Sequence, residues 1–235
     1  MTKLIIIIPA FNEESSIARV ITTIPKMANI DCNVVVIDDG SSDKTGILAQ
    51  EHGAKVLKNK THLGLGRVIK LGMARGIEEN SDIMAILDGD GQYEASVLKK
   101  LVSAISDKKC DLIMGNRFMR EGYFDSSILK RIGNRLISMI ISKLLLRLKT
   151  VYDIQSSIRA FNKDFAEFIL NKIQADYNYA QEMFILASLN NFKINQIPVK
   201  CKKRTSGKSR LIKNPFIHII RILWISLKTR IKNSA

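Results

Sequence analysis

Several things are scarce in this 235-residue chain, and each scarcity closes off a class of protein. There are only three cysteines, Cys32, Cys110 and Cys201. They are far apart, odd in number and without CxxC or Cys/His spacing, which excludes a disulfide framework and a zinc site and fits a reducing compartment. No window holds the roughly 18 uninterrupted apolar residues that a spanning helix needs. The opening run, Leu4 to Ile8, is too short for a signal-peptide core and meets Pro9-Ala10-Phe11-Asn12-Glu13-Glu14 at once, so it reads as a first strand. A soluble or peripheral protein is expected. Acidic residues stop at Glu182, and beyond it twelve lysines and arginines follow, within a net charge of +15. An anionic surface is the implied partner, and nucleic acid and acidic lipid both suit that charge.

What is present is an alternation of short apolar runs with helical stretches. Leu4 to Ile8, Val34 to Ile37, Lys55 to Leu57, Ile83 to Leu87 and Leu112 to Met114 read as strands covered on both faces. Residues near 14–25, 43–52, 65–79 and 95–106 carry helical spacing, with Ser42 or Asp43 available to cap the second. This βαβα order predicts one α/β domain with an open, mostly parallel sheet, a length of 235 residues leaving room for an extension but not for a second full domain. In such sheets ligands sit beyond the carboxyl ends of the strands. Four polar clusters fall there: Pro9 to Glu14, Asp38 to Asp43, Asp88 to Gln92 and Gly115-Asn116-Arg117. They are expected to converge on one cleft.

Two later segments are amphipathic. Residues 128–149 read as one long helix in which Ile132, Leu136, Ile137, Ile140, Ile141, Leu144, Leu145 and Leu148 alternate with Lys130, Arg131, Arg135, Lys143, Arg147 and Lys149. Pro215 to Ile231 sets Phe216, Ile219, Ile220, Leu223, Trp224 and Leu227 among basic residues. Either could pack on a core, and either could lie in a membrane surface.

The chemistry concentrates in Asp88-Gly89-Asp90-Gly91-Gln92. Carboxylates at the end of a buried strand hold Mg²⁺ or Mn²⁺ with substrate phosphates completing the shell, and Gln92 offers a neutral oxygen. Most single Asp-x-Asp occurrences are solvated turns. Here the preceding buried strand and the second acidic strand end at Asp38-Asp39 favour the metal reading. Asp38 can accept hydrogen bonds from a base N–H or ribose hydroxyls, and Pro9, Ala10, Asn12 and Glu13 would border the same nucleotide pocket. Gly64-Leu65-Gly66 and Gly207-Lys208-Ser209 fail as phosphate loops, because Ile69 and Lys202 stand where each pattern needs glycine.

Taken with Asn59, Leu63-Gly64-Leu65-Gly66 and Arg204-Thr205-Ser206-Gly207-Lys208-Ser209, these motifs resemble the inverting family 2 glycosyltransferases of GT-A fold, in particular the dolichyl-phosphate and polyprenyl-phosphate mannose or glucose synthases. The resemblance spans about residues 3–210. It implies a GT-A (Rossmann-like) catalytic domain over 1–210 and a basic amphipathic helix over 211–235. It implies a nucleotide-sugar donor, of GDP-mannose or UDP-glucose type, with Asp38 and Glu13 touching the nucleoside and Asp88 beside the ribose and phosphates. Asp90 and Gln92 would hold Mg²⁺ or Mn²⁺, with Asp88 adjoining. Arg117 and Arg131 would meet a lipid phosphate, and the loop from Arg204 through Lys208 would close over the donor. The expected acceptor is a polyprenyl or dolichyl phosphate, with the enzyme peripheral at the cytoplasmic face of a membrane, held by anionic lipid or a membrane-anchoring subunit.

Two departures from the family pattern stand out: Tyr93-Glu94-Ala95 where proline-rich residues are common, and Ser157 where a glycine is common. A saccharide-hydroxyl acceptor is the alternative, with Asp153 or Glu182 as base. A nucleic-acid-binding role fits poorly, since Asp38, Asp39, Asp88 and Asp90 would repel phosphates and aromatic content is 6%. A nucleotidyltransferase lacks its basic amino-terminal phosphate loop here.

Overall fold

Leu4 to Ile8 are almost wholly buried because helices cover both faces of the strand they form, β1 (Thr2–Ala10). The computed structural model describes residues 1–174, 178–204 and 215–232. Beside β1 stand β2 (Ile30–Asp38), β3 (Lys55–Lys58), β4 (Ile83–Ile86), β5 (Leu112–Asn116), β7 (Arg159–Asn162) and β8 (Ile194–Pro198). Their order is β3-β2-β1-β4-β7-β5-β8. Every pairing is parallel except those of β7, which runs antiparallel to β4 and β5. The chain steps from β1 outward to β3 and then returns to place β4 on the other side of β1. That reversal is the switch point where open sheets leave a crevice.

One face is covered by α1 (Ile17–Thr22), α2 (Thr45–Glu51) and α4 (Leu98–Ser106), packed on Leu4, Ile6 and Ile8. The other is covered by α3 (Leu65–Glu78), α6 (Lys163–Leu170) and α7 (Tyr179–Leu189), packed on Ile5 and Ile7. Helix α3 sits against β1 so closely that a Cβ on Gly72 would lie 2.3 Å from Ile7 Cγ2. Tyr179 through Ala187 of α7 are buried all round, as expected of a helix enclosed by protein.

The fold is the expected mostly parallel α/β sheet flanked by helices, with, among the described residues, four strands more than the five expected: β7, β8 and the separate pair β6 (Tyr123–Phe124) and β9 (Lys200–Cys201). Asp43 does hold the start of α2, accepting from Thr45 N at 2.9 Å, and it also takes Glu14 N at 3.2 Å. The single helix expected over 128–149 is a shorter one. Helix α5 (Ile128–Met139) runs into a π turn, Ile140–Leu145. Arg147 then takes a left-handed φ of 55°, while Leu148 N donates to Ser142 O and Tyr152 N to Ser142 Oγ, folding the chain back.

The last described element, α8 (Pro215–Lys232), adds Ile222 to the core around α7. Its buried positions also include Ser226 and Thr229, whereas Ile220, Trp224, Leu227 and Ile231 are 66, 62, 43 and 65% exposed. Ile222 and Leu223 pack inward, and Arg221 and Lys228 stand outward among the exposed apolar residues. No helix among the described residues is long and apolar enough to cross a membrane.

Candidate active site

A cleft of about 370 Å³ opens at the switch point, lined from all four polar strand ends: Pro9 to Glu13, Asp39, Asp88 to Asp90 with Gln92, and Arg117. Parallel register makes this possible, since Ala10 lies opposite Asp38 and Ile7 opposite Ile86, so the chains leave the sheet at nearly one level.

The adjacent aspartates at the end of β2 separate. Asp38 is fully buried away from the cleft lining. It accepts from Ser41 N at 2.8 Å, lies 3.7 Å from Lys58 Nζ, and packs where a Cβ on Gly46 would meet it. The structure therefore does not bring Asp38 to the pocket that the sequence reading gave it, and Asp39 is there instead. Asp39 accepts from Asn59 Nδ2, Leu63 N and Gly64 N at 2.8–3.0 Å and pairs with His62 Nδ1 at 2.8 Å. The His62 ring lies on Phe11, centroids 4.3 Å apart, giving an aromatic wall beside the carboxylate. Asn12, at a left-handed φ of 56°, accepts from Ser42 N and so ties the first strand end to the second.

Three carboxylates gather at the ends of β1 and β4. Burial pushes Glu13 up to about 7, against the pull of Arg204. Burial likewise pushes Asp88 up to about 7, with the charge of Asp90 adding to it and a hydrogen bond from Ser157 Oγ opposing it. Asp90 is raised by burial too, and its Oδ1 accepts from Gln92 N at 3.0 Å across the turn made by Gly91, whose φ is +69°. Ser157, a departure from the family pattern, thus has a definite partner in Asp88. At the other departure, Tyr93 Oη meets Ser156 Oγ at 3.3 Å and Glu94 pairs with Lys202.

Strand β9 brings the following residues back over these acids. Lys202 N donates to Gln92 O, Gln92 Nε2 donates to Lys202 O at 2.7 Å, and Arg204 bonds Glu13 and lies 3.7 Å from Asp90 Oδ2. Lys208 and the rest of its loop lie outside the described residues. Among the described residues no three His, Cys, Asp or Glu side chains form a complete metal cage. The donor set suits an ion held by one or two carboxylates with phosphate oxygens and water completing its shell. A guanidinium already bridges Glu13 and Asp90, so the acid cluster accepts positive charge at this spot.

At the far end of the cleft the charge changes sign. Arg117 is buried and spent on Asp153, with Nε and Nη2 bonded to its two oxygens at 2.7 and 2.9 Å, and its guanidinium lies 4.2 Å from the centre of the Phe124 ring. Lys130 extends over the same ring at 5.6 Å and lines the cleft with Asn134, one helical turn on. Arg131 is exposed and does not line the cleft. Neither Asp153 nor Glu182 lines it either: Asp153 is consumed by Arg117, and Glu182 accepts from Gln174 N. Sequence reasoning missed Asp39, Lys130, Asn134 and the fully buried Arg159. The last fastens the wall of the cleft through the carbonyls of Ser156, Ser157 and Ala180.

A crevice at the switch point of an α/β sheet, with carboxylates on one side and basic side chains on the other, is a site for a charged ligand. Solved structures bear out the fold. Glucosyl-3-phosphoglycerate synthase from Mycobacterium tuberculosis in complex with Mg²⁺ and uridine diphosphate superposes with a TM-score of 0.73 at 19% identity, over 97% of this chain and 80% of that one. Its complex with Mn²⁺, uridine diphosphate and glucosyl-3-phosphoglycerate gives 0.70 at 17% identity, over 99% and 80%. Residues 5–170 match the family described as Glycosyl transferase family 2, and the chain belongs to it and is a glycosyltransferase. Relatives include the UDP-N-acetylglucosamine–dolichyl-phosphate N-acetylglucosaminyltransferase of Methanococcus voltae, 30% identical over 83% of this chain and 84% of its own length. The polyprenol monophosphomannose synthase of Mycolicibacterium smegmatis is 25% identical over 88% and 80%.

Proposed function

We propose that this enzyme transfers a hexose, with inversion, from a nucleoside-diphosphate sugar to a polyprenyl or dolichyl phosphate. The observation that carries the acceptor is the dual character of α5. Lys130 and Asn134 face the cleft, while Ile128, Leu129, Ile132, Leu136 and Met139 of the same helix stand exposed. A phosphate on a lipid needs a cation inside and an apolar path outside, and one helix supplies both. A saccharide acceptor needs neither. The names of the two relatives, each acting on a lipid-linked phosphate, support the same reading.

In this reading Asp39, with Phe11 and His62, receives the base, and Pro9, Ala10, Asn12 and Glu13 border the nucleoside. Asp88 adjoins the ribose and phosphates. Asp90 and Gln92 would hold Mg²⁺ or Mn²⁺, with Asp88 near, and Arg204 with Lys208 would cover the donor. When bound, the divalent ion neutralises charge developing on the leaving diphosphate. The acceptor phosphate is largely ionised at neutral pH, its second pKa lying near ~6, so attack at the anomeric carbon requires no strong base. That agrees with the absence of Asp153 and Glu182 from the cleft lining. Lys130 orients the attacking phosphate, while the Arg117–Asp153 pair, neutral as a unit, holds the Phe124 ring that Lys130 extends over.

The same reading holds the enzyme at the cytoplasmic face of a membrane, by anionic lipid or a membrane-anchoring subunit. The outward Ile220, Trp224, Leu227 and Ile231 of α8, flanked by Arg221 and Lys228, support it, as do the exposed apolar residues of α5 beside Arg131 and Arg135. A panel of nucleotide sugars with Mn²⁺ or Mg²⁺ and a short polyprenyl phosphate tests the reaction. Metal-dependent formation of a sugar phospholipid, lost in Asp90→Ala, is expected. Transfer only to a free saccharide would overturn the acceptor, and full activity in Asp90→Ala would overturn the site.

A further inference from the structure

We propose that Gln155, Tyr179 and Gln181 form the seat that reads the hydroxyl groups of the transferred sugar; this rests on the glycosyl-transfer reading above and adds the residues that choose the sugar. Gln155 Nε2, Tyr179 Oη and Gln181 Oε1 are buried without a hydrogen-bond partner among the described residues, and all three side chains line the active-site cleft. Tyr179 and Gln181 are 1% and 4% exposed. Buried polar atoms are nearly always paired, so three orphans on one cavity wall mark places where a ligand completes the bonding. Their chemistry narrows the ligand: an amide donor, an amide acceptor and a phenol able to do either, with no formal charge among them. Phosphate would call for cations, which stand elsewhere in the cleft at Arg117, Lys130 and Arg204. A neutral polyol needs the mixed set found here.

The set is also held rigid. Arg159 donates to the carbonyls of Ser156 and Ser157, beside Gln155, and to that of Ala180, between Tyr179 and Gln181, and its guanidinium lies 5.6 Å from the centre of the Tyr179 ring. One buried arginine therefore fixes both segments that carry the three side chains. The Tyr179 phenol feels the charge of Asp88, and both line the same cleft, which puts the seat beside the carboxylates of the donor site.

Tyr179→Phe removes one polar atom, and Gln155→Met and Gln181→Met remove one amide group each, at nearly constant volume; Tyr179→Phe leaves no partner behind in the fold. Binding of uridine and guanosine diphosphate is measured first, then kcat/KM with a nucleotide-sugar panel that includes single-deoxy analogues. The expected result is nucleoside diphosphate affinity within about twofold of wild type and kcat/KM on the preferred sugar lower by about 10- to 100-fold. In at least one variant, wild-type discrimination against a particular deoxy sugar should collapse by tenfold or more, because the hydroxyl has lost its partner. A merely structural role would lower kcat/KM on parent and deoxy sugars alike. Unchanged discrimination in all three variants overturns the proposal and leaves glycosyl transfer standing, whereas a wild-type chain that transfers no sugar overturns both.

Discussion

Asp88→Asn should make the protein more stable and inactive at once, and the pH dependence of the gain is the informative part. The folded state holds Asp88 at about 7 against an ordinary 3.8, chiefly because burial disfavours the charge and secondly because Asp90 lies beside it. A raised carboxyl pKa means that the folded chain keeps a proton the unfolded chain has released. Its stabilising contribution is complete below about pH 4 and is lost as pH rises to about 7. Three decades of proton affinity at about 1.4 kcal/mol each set a ceiling of about 4 kcal/mol. One edge of the carboxylate meets water in the cleft, and asparagine still accepts from Ser157, so about 1–3 kcal/mol is the expected gain at pH 8. For a chain of this length that is roughly 2–10 °C in Tm. Melting curves of both proteins from pH 4 to 8, in the presence of a chelator, should start together and diverge with pH. Added Mn²⁺ and a nucleoside diphosphate should narrow or reverse the gap, because only wild type keeps both carboxylates. A gap independent of pH, or a variant less stable at pH 8, would refute the reasoning.

Gly72→Ala should lower Tm by several degrees, since its Cβ would fall 2.3 Å from Ile7 Cγ2 and overpacking of that kind costs about 1–3 kcal/mol; Gly133→Ala on α5, with nothing within 4 Å, should raise it slightly in the same melting assay. Lys130→Ala should raise KM for polyprenyl phosphate about tenfold while donor affinity, read by titration calorimetry, stays unchanged, and Arg131→Ala should do much less. Trp224→Glu should abolish salt-sensitive flotation with anionic vesicles and leave Tm within about 2 °C, because the side chain is 62% exposed; flotation equal to wild type would detach α8 from the membrane surface.

The parts legible in the sequence were those written in long-range patterning. Ile5 to Ile8 and Ile83 to Leu87 are continuous apolar runs, so their strands, and with them the placing of Asp88 and Asp90, follow from burial on both faces. What escaped turns on single-residue geometry. Asp38 and Asp39 are chemically alike and adjacent; which one faces the cleft depends on the strand's alternation against α2, where the absence of a side chain on Gly46 admits Asp38. Lys130 and Arg131 differ by about 100° around a helix, and only the start of α5, fixed by the Ser127 cap, sends the first toward the cleft. The i, i+4 spacing of Lys130 and Asn134 was the available signal. Strand β7 gave almost none, since its four residues include an arginine and an asparagine.

That short strand does much to shape the site. By running opposite to its neighbours, β7 starts at the edge where the others end, with Arg159 level with both Ile86 and Met114. The segment before it, Asp153 to Ile158, is therefore delivered to the cleft side of the sheet rather than the far side. Asp153 can then anchor Arg117, Ser157 can bond Asp88, and Gln155 can face the cavity. A parallel strand in the same slot would bring its start to the opposite edge and leave the cations and the carboxylates without a common wall. The buried guanidinium is the cost of that arrangement: desolvation favours its neutral form and lowers its pKa from the ordinary value, and carbonyls from two segments offset the loss. Arg159→Met could pack as well in isolation, but it would release Ser156, Ser157 and Ala180 together, so the wall would lose the bonds that set its shape even if the sheet survived.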